Sequence, residues 1–386
     1  MLVQLHGRHL RALGSTSARP FVVRLSEDPT SEHRSQEALL LRSPAQALEP
    51  GFRAYLVTQA GERSAHDAYV LSPAMQHLAA GDVVRVDPGR SHISAIYRRR
   101  SRTNSLLVTE RCDNFCLMCS QPPKEADDSW LLDELQKVIP LMSRETGEIG
   151  ITGGEPGLLG GRLVDLVETL RSHLPETSVH ILSNGRAFKD AALARALGKV
   201  KHPDLMVGVP IYSDLPEEHD YIVQASGGFT EAIRGILNLK RYGVAVELRF
   251  VVHAETWRRL PAFAEFVARN LLFVDHVALM GLELMGFAKT NLEALWIDPV
   301  DYQSELVVAA RTLERTGMSV SIYNHQLCVL DTRVHHLARK SISDWKNMYV
   351  EECGGCAAKD ACGGFFASAT LRRSAHIRPL DAEGGR

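Results

Sequence analysis

The sequence lacks the features that would direct a chain into or across a membrane. No apolar run approaches the roughly 18 residues that span a bilayer, and Arg8 and Arg11 interrupt the first twenty residues. This start therefore lacks the apolar core of a secretory signal. A net charge of −2 gives no general attraction for nucleic acid or anionic lipid. We expect a cytoplasmic protein that binds neither nucleic acid nor membrane.

Cysteine is also scarce, with seven in 386 residues. An odd number without an export signal argues against a disulfide framework and favours metal ligation in a reducing compartment. The charged fraction of 23% is that of a soluble globular protein. The chain is too long for one ordinary core, so we expect two or three units.

The pattern along the chain divides it into three predicted regions. Residues 1–102 read as a β-rich unit, because short runs such as "RPFVVRLS", "FRAYLVTQ", "GDVVRVDP" and "HISAIYRR" are separated by Gly and Pro. This unit is a candidate docking region for a peptide or partner, through strand addition at a sheet edge. Residues 318–386 have few periodic elements and hold four of the cysteines.

Between these regions, residues 103–317 alternate between strands and amphipathic helices. Six strand–helix units are present, from "NSLLVTE" and "SWLLDELQKVIPLM" to "FVDHVALMGL" and "VDYQSELVVAARTLERTG". Such alternation is typical of parallel strands joined by right-handed crossovers. Six units rather than eight predict an α/β sheet curved like a partial (β/α)6 barrel. Ligands would then lie at the carboxyl ends of its strands.

Three cysteines, Cys112, Cys116 and Cys119, follow the first strand of this array in the spacing C-x3-C-x2-C. Thiolates suit iron–sulfur clusters or zinc. A structural zinc site normally has four protein ligands, whereas three ligands leave a position open for another molecule. Three thiolates on a four-iron cluster would leave one iron free for an exogenous chelate.

This pattern resembles the radical S-adenosylmethionine (SAM) superfamily. The resemblance implies a [4Fe-4S] cluster on the three cysteines, with SAM chelating the open iron. It also implies reductive cleavage of SAM to a 5′-deoxyadenosyl radical that takes a hydrogen atom from the substrate. The segment "ITGGEPGL" after the second strand matches the GGEP element of that family. Gly153, Gly154 and Glu155 would then hold the ammonium group of SAM, with Pro156 stiffening the turn.

Further cofactor contacts are expected at four positions. Ser183 and Asn184 end the third strand in "ILSNG" and could bond the ribose or the carboxylate, although simple turn chemistry is an alternative. Ser213 stands where the family often places a ribose contact. Arg249 is a charge on an apolar strand, so it meets either the carboxylate of SAM or an internal salt-bridge partner. Met118 replaces the usual aromatic residue before the third cysteine, leaving its backbone to contact adenine.

The second cysteine group consists of Cys328 and the run Cys353-x2-Cys356-x5-Cys362. Four thiolates form a closed set that suits an all-cysteine iron–sulfur cluster or zinc. The run is similar to the auxiliary-cluster extensions of peptide-modifying radical enzymes. In the larger version of those extensions another cysteine follows, and here Phe366 stands in its place. We predict one auxiliary [4Fe-4S] cluster, with structural zinc as the alternative.

The substrate is indicated only by resemblance. Segments such as "CLMCSQPPK", "ALMGLELMGFAKTN" and "CGGCAAKDACGGFFAS" resemble the radical SAM maturases of the His-Xaa-Ser peptide system, over residues 105–370. This implies a ribosomally made precursor with His-Xaa-Ser repeats, a second radical SAM maturase as partner and an external low-potential electron donor. Two alternatives are a dehydrogenase of the sulfatase-maturase kind, acting on a folded protein, and a non-catalytic partner subunit.

The catalytic acid or base is not identified from the sequence. Four polar residues in motif-like settings are interpreted as structural, namely His219, Glu283, Asn324 and Asp344.

Overall fold

The computed structural model describes residues 6–8, 10–13, 19–43, 49–59, 67–340 and 348–381. The N-terminal strands are β1 (His6–Arg8), β2 (Arg11–Ala12), β3 (Phe21–Ser26), β4 (Glu37–Leu41), β5 (Ala54–Val57), β6 (Ala68–Val70), β7 (Val83–Asp87) and β8 (His92–Tyr97). The later strands are β9 (Thr103–Thr109), β10 (Glu148–Gly153), β11 (Ser178–Leu182), β12 (Leu205–Pro210), β13 (Ala245–Val252), β14 (His276–Gly281), β15 (Val320–Tyr323) and β16 (Ala338–Arg339). The α-helices are α1 (Trp130–Val138), α2 (Gly161–His173), α3 (Ala191–Lys199), α4 (Pro216–Val223), α5 (Gly228–Arg241), α6 (Leu260–Asn270), α7 (Phe287–Thr290), α8 (Leu292–Leu295) and α9 (Gln303–Arg315).

The first sheet contains β1 to β8 in the order β1-β8-β7-β3-β4-β5-β6-β2. Strands β1 and β2 lie at opposite ends of this order, yet only two residues separate them in the chain. The sheet must therefore curl until its two ends are close together, as strands do when a barrel closes. The four N-terminal strands predicted from the sequence are confirmed as β3, β5, β7 and β8.

The second sheet runs in sequence order from β9 to β16. Every neighbouring pair from β11 to β16 is parallel. The predicted alternation of six strands with helices is confirmed from β9 to α9. Two short strands, β15 and β16, extend the sheet into residues that the sequence pattern had left without regular structure.

The helices of the second sheet form where apolar residues recur at helical spacing. In α5, Phe229, Ala232, Ile236 and Leu239 are buried on one side of the helix. Helix α3 begins after Asp190, whose side chain accepts a hydrogen bond from the N–H of the second helical residue and so caps the helix. Among the described residues, no helix is long and apolar enough to cross a bilayer.

The chain divides into two compact units. The first comprises residues 1–106, 129–150 and 168–178, and the second comprises residues 107–128, 151–167 and 179–386. In the first unit, a core of buried side chains includes Val23, Leu40, Leu56, Tyr69 and Val84. In the second unit, the described part of the chain beyond β16 contains two short 3-10 helices, Glu351–Cys353 and Ala367–Thr370, and Met348 forms an isolated antiparallel bridge with Phe365.

Candidate metal and cofactor site

The three cysteines of the first group lie on a loop that follows β9, residues 110–120, which we call the cysteine loop. All three are half-buried and free of disulfides. Burial is the main cause that raises the pKa of the Cys116 thiol to about 12, and the charges of Cys119 and Cys112 contribute to this rise. Burial also raises the pKa of Cys112 to about 12 and that of Cys119 above its usual value. The three sulfur atoms therefore lie close enough to influence one another, and their ionised form needs a positive partner.

Within the described ranges, no three His, Cys, Asp or Glu side chains are grouped as ligands of one ion. The three thiols supply soft ligands of the kind that suit an iron–sulfur cluster or zinc.

Two backbone hydrogen bonds join the middle of the cysteine loop to the end of α4. The N–H of Phe115 donates to the carbonyl of Val223 (3.0 Å), and the N–H of Leu117 donates to that of Ile222 (2.9 Å). Both acceptors lie in the last turn of α4, where helical carbonyls have no partner in the helix. The loop thereby satisfies the end of a helix while the helix holds the loop.

A second contact fixes the end of the cysteine loop. The N–H of Phe287, the first residue of α7, donates to the carbonyl of Cys119 (2.8 Å). Gly286 precedes it with φ +54°, and a Cβ there would lie 2.4 Å from the same carbonyl oxygen. Glycine is therefore required at this position both for its backbone conformation and for the close approach.

The glycines of the GGEP element pack directly against the last residue of β9 and the start of the cysteine loop. The N–H of Gly154 donates to the carbonyl of Thr109, and the N–H of Glu155 donates to that of Arg111, both at 2.8 Å. A Cβ on Gly153 would lie 2.2 Å from the Thr109 oxygen, and one on Gly154 would lie 2.1 Å from the Arg111 oxygen. The close approach that these glycines permit is thus to the chain's own backbone. Their contact with the ammonium group of SAM stays a prediction.

Glu155 is fully buried behind this contact. Its carboxylate accepts hydrogen bonds from the N–H of Gly157 (2.6 Å), the hydroxyl of Ser183 (2.7 Å) and the N–H of Asn184 (2.5 Å). Burial raises the pKa of Glu155 to about 7, although these three donors oppose the change. Pro156, also buried, begins the turn of residues 156–159. The predicted contact of Glu155 with SAM stays a prediction beside these internal bonds.

Asn184 connects the end of β11 to the cysteine loop. Its side-chain N–H donates to a carboxylate oxygen of Asp113 (2.6 Å), and its side-chain oxygen Oδ1 accepts a hydrogen bond from the backbone N–H of Arg186 (2.9 Å). Asp113 lies between Cys112 and Cys116 in the sequence. The predicted cofactor contacts of Ser183 and Asn184 stay predictions, and in the structure both side chains bond within the chain.

Arg186 is a site residue that the sequence analysis missed. Its guanidinium donates to the carbonyl of Asp113 (2.7 Å) and to the side chain of Asn114 (2.6 Å), both in the cysteine loop. It also donates to Glu231 on α5 (2.7 Å). Two features of the sequence could have indicated this role. Arg186 is a charged residue directly after "ILSNG", and the polar residues Asp113 and Asn114 lie between the first two cysteines. Arg186 therefore ties the cysteine loop to the helical layer.

Ser213, Arg249 and Met118 each bond or pack within the chain. Ser213 is fully buried and donates to Glu218 (2.8 Å). Arg249 forms a salt bridge with Glu247 (2.7 Å), which is the internal partner that the sequence analysis kept as an alternative. The Met118 side chain is buried in an apolar cluster beside Tyr212. Cofactor contacts by these three residues stay predictions.

Two of the polar residues interpreted as structural have contacts of that kind. Nδ1 of the buried His219 accepts from the N–H of Tyr212 (3.1 Å), and the two rings stack. Asn324 has φ +62° and donates to the carbonyl of Gly281 (3.2 Å). Asp344 lies outside the described residues.

The second cysteine group also comes together in the described part of the chain. Cys328, Cys353 and Cys356 are half-buried and Cys362 is buried. Burial raises the pKa of Cys328, and the charges of Cys362 and Cys353 add to this effect. The N–H of Gly364 donates to the sulfur of Cys362 at 3.5 Å. The charges of Cys353 and Cys362 thus act on Cys328, which brings three members of the group within electrostatic range.

Comparison with known proteins supports a family for the central part of the chain. Residues 106–267 match the family described as the Radical SAM superfamily. The Fe-coproporphyrin III synthase of Methanosarcina barkeri is 26% identical over 171 residues, which are 42% of this chain and 39% of that protein. This chain therefore spans about two fifths of that relative's length.

Two solved structures show partial similarity. SuiB of Streptococcus suis, bound to S-adenosylmethionine, has a TM-score of 0.48 and 13% identity, covering 58% of this chain and 51% of SuiB. Native anSMEcpe with bound AdoMet has a TM-score of 0.43 and 21% identity, covering 56% of this chain and 63% of that one.

Proposed function

We propose that this chain, whose residues 106–267 match the Radical SAM superfamily, is a radical SAM enzyme that modifies a ribosomally made precursor peptide. The observation that carries the proposal is the cysteine loop. Three thiols that influence one another lie at the carboxyl end of a parallel sheet, on a loop whose backbone is fixed on two sides. Ligands of α/β sheets bind at this end.

The residues present fit a [4Fe-4S] cluster held by Cys112, Cys116 and Cys119. Their thiols resist ionisation because they are buried together, and the positive charge of iron would offset that cost. When bound, the cluster and SAM supply one-electron cleavage of the sulfonium and a 5′-deoxyadenosyl radical that takes a hydrogen atom from the substrate.

The remaining residues of the site orient the loop and shape its surroundings. Gly153 and Gly154 let β10 lie against the backbone of the cysteine loop. Glu155, Ser183 and Asn184 join the ends of β10 and β11 next to it. Placing several polar groups at adjacent strand ends is how α/β enzymes bind polar cofactors, which supports SAM binding at this edge.

We extend the proposal to one auxiliary [4Fe-4S] cluster on Cys328, Cys353, Cys356 and Cys362. The mutual influence of three of these thiols and the N–H donor at Cys362 support it. Hydrogen bonds to cluster sulfur atoms tune the reduction potential. Structural zinc is the competing occupant.

The proposed substrate is a precursor with His-Xaa-Ser repeats, and the proposed partners are a second radical SAM maturase and a low-potential electron donor. Support comes from segments such as "CLMCSQPPK" and "ALMGLELMGFAKTN", which resemble that maturase family. The residues of the chain itself do not identify the bond formed.

The test is anaerobic reconstitution with iron and sulfide, followed by reaction with SAM, dithionite and a synthetic precursor. We expect 5′-deoxyadenosine together with a change in peptide mass. Cys116→Ala should abolish both products. Lys124→Ala is the control, because it removes an exposed charge that pairs with Glu110 at the start of the cysteine loop but alters no predicted ligand.

Each other outcome rejects part of the proposal. Formation of 5′-deoxyadenosine without a mass change in any co-encoded peptide would favour a dehydrogenase that acts on a folded protein. No 5′-deoxyadenosine from the isolated chain, with product only when a second radical enzyme is added, would identify a non-catalytic subunit. Zinc without iron or sulfide after reconstitution would reject the cluster itself.

A further inference from the structure

The two faces of the second sheet differ in burial and polarity. In β13, Val246, Leu248 and Phe250 lie on one face and are fully buried. The residues of β13 and its neighbouring strands that lie on the opposite face are more polar, and some of them are less buried. We call this second face of β11 to β15 the polar face, and its polar members are His180, Glu247, Arg249, His276 and Ser321. All five belong to the second compact unit.

Three residues of the polar face form a continuous hydrogen-bonded chain across adjacent strands. Nδ1 of His276 lies 2.7 Å from a carboxylate oxygen of Glu247, and Nε2 of His276 lies 2.9 Å from the hydroxyl of Ser321. Glu247 and His276 are register partners on β13 and β14. Ser321 lies on β15, the next strand of the sheet. The sheet itself therefore sets the spacing of the three groups.

The charge on Glu247 determines where the protons lie. Burial alone would raise the pKa of Glu247, but the hydrogen bond from His276 and the charge of Arg249 outweigh it and lower the pKa to about 2. The carboxylate is thus ionised and can only accept hydrogen bonds. Nδ1 of a neutral His276 must then carry the hydrogen, so Nε2 accepts and the hydroxyl of Ser321 donates to it. Ser321 is also hydrogen-bonded to the side chain of Tyr323, so one lone pair of its oxygen remains for an incoming donor.

The other charged and titratable groups that face His276 keep Glu247 in this state. Arg249 donates to the second carboxylate oxygen of Glu247 at 2.7 Å. His180 on β11 brings its Nε2 to 3.5 Å from that oxygen. Gly208 on β12 makes room for both side chains, since a Cβ there would lie 2.9 Å from His180 Nε2 and 3.0 Å from Arg249 Cδ. Tyr323 lies on the same face, two residues after Ser321.

The geometry points to a proton relay in which Ser321, His276 and Glu247 accept a proton from an N–H or O–H group of the substrate. As the substrate donor gives its proton to Ser321 Oγ, the hydroxyl proton of Ser321 passes to His276 Nε2. The substrate group keeps the electron pair, and the imidazolium is stabilised by the Glu247 carboxylate. No oxidant or reductant is consumed in this step. Ser321 is the residue that meets the substrate, and Glu247 is a positioning residue.

A nucleophilic role for Ser321 is less consistent with its surroundings. Acyl transfer requires preorganised donors, usually backbone N–H groups, that stabilise an oxyanion beside the nucleophile. Ser321 lies within β15, whose backbone is paired with β14 and β16. The relay needs no such donors. It deepens the proposed function and rests on it, because the substrate that loses the proton is the one the radical enzyme modifies.

The first test is independent of cofactors. In the ¹⁵N-histidine-labelled chain, the imidazole signals of His276 are assigned from their loss in His276→Gln. We expect the tautomer protonated at Nδ1. Glu247→Gln should let the Nε2-protonated tautomer appear, because a side-chain amide can donate to Nδ1 as well as accept from it. A His276 protonated at Nε2 in the unaltered chain, or one whose tautomer is unchanged in Glu247→Gln, would overturn the relay.

The second test uses the reconstituted enzyme with precursor peptide and SAM. Ser321→Ala and His276→Gln should each slow peptide modification about 100-fold at neutral pH, the usual size of a general-base contribution. They should still form 5′-deoxyadenosine and show native circular dichroism. Glu247→Gln should shift the pH–rate profile, and Ser321→Thr should recover most of the rate. His336→Gln is the matched control, because His336 also lies 2.7 Å from a glutamate but is exposed and outside the polar face.

The outcomes separate this inference from the proposed function. If the unaltered chain does not cleave SAM, the proposed function fails and the NMR test alone decides the proton arrangement. If the unaltered chain modifies the peptide while both well-folded variants match its rate and pH profile, the relay is rejected and the proposed function stands.

Discussion

The buried carboxylate of Glu155 accepts a hydrogen bond from the hydroxyl of Ser183, with 2.7 Å between the two oxygens. Glu155 follows β10 and Ser183 follows β11, and these strands are neighbours in the second sheet. This bond, with the one from the N–H of Asn184, joins two strand ends beside the cysteine loop. A carboxyl with a pKa near 7 thus lies where the structure holds its candidate metal ligands.

Removing the charge of Glu155 should change the pH dependence of stability. Its pKa is raised from 4.5 to about 7 in the folded chain, so the folded state binds a proton more tightly than the unfolded state between these values. The free energy of unfolding should therefore rise as the pH falls from 7 to 4.5, by up to about 3 kcal/mol. Glu155→Gln should lack this contribution. Urea titrations of both proteins at pH 4.5 and 7.5 measure the difference, and a difference that is constant with pH would contradict the prediction.

Glu247 should have the opposite effect on stability. Its pKa is lowered from 4.5 to about 2, so its stabilising contribution is present above pH 4.5 and is lost as the pH falls toward 2. We expect Glu247→Gln to remove about 3 kcal/mol at pH 6 and progressively less in acid. Asp331→Asn is the comparison. The pKa of Asp331 is also about 2, but its partner Arg333 is exposed, so solvent screening should limit the loss to less than about 1 kcal/mol. Equal losses at pH 6 would contradict this account.

Gly154→Ala should destabilise the cysteine loop. The added Cβ would lie 2.1 Å from the carbonyl oxygen of Arg111, so the backbone of either β10 or the loop must move. We expect a loss of about 3 kcal/mol, as overpacking against backbone produces. Gly161→Ala is the control, since nothing lies within 4 Å of its Cβ, and it should change stability by less than about 1 kcal/mol. Chemical denaturation of both variants measures the difference, and similar values would show that the loop adapts.

Arg186→Ala should loosen the cysteine loop without altering any predicted ligand. The guanidinium is largely buried and donates to the carbonyl of Asp113 and the side chain of Asn114. Losing these charge-assisted bonds should cost about 2 kcal/mol. After reconstitution, the variant should also retain less iron through gel filtration.

The control for Arg186→Ala is the substitution of Lys189, the second basic side chain that pairs with Glu231. Lys189 pairs with Glu231, as Arg186 does, but within the described part of the chain it forms no hydrogen bond or ion pair with the cysteine loop. Lys189→Ala should therefore keep its iron. Equal iron loss in both variants would mean that the helix contact matters and the loop contact does not.

The sequence predicted the second sheet well because each strand–helix unit carries its own local signals. Helix α5 has apolar residues at helical spacing and ends near Gly243, which has φ +77°. The cysteines could be placed on a loop after the first strand of the array for the same reason. The spacing of apolar residues and the Gly and Pro residues at the ends of elements can be recognised within about fifteen residues. Neither signal depends on distant contacts.

Strand β4 shows where that reading fails. Its sequence "EALLL" favours a helix by intrinsic propensity, yet all five residues are buried in a strand that is parallel to both neighbours. Strands covered on both faces lose the alternation that identifies them. Glu37 is accommodated there by a salt bridge from Arg24 on β3.

The site depends on contacts that one sequence does not encode. The approach of Gly154 to Arg111 and the chain from Glu247 through His276 to Ser321 both depend on which residues of separate strands lie side by side. The same limit explains Arg249. Its charge on an apolar strand indicated a partner, and that partner, Glu247, lies two residues earlier on the same face of β13, while the space above Gly208 that admits the side chain could not be foreseen.

The two cysteine groups should account for the iron of the reconstituted chain in about equal parts. Each group would hold one four-iron cluster, so the triple variant Cys112→Ala, Cys116→Ala, Cys119→Ala should lose about half of the iron and all SAM cleavage. The double variant Cys353→Ala, Cys356→Ala should also lose about half. Because its cysteine loop remains intact, it should still cleave SAM in the absence of peptide. Iron and sulfide analysis with electron paramagnetic resonance of the reduced proteins checks both. Full iron in the double variant, with zinc lost instead, would assign the second group to zinc and leave the cysteine loop as the iron site.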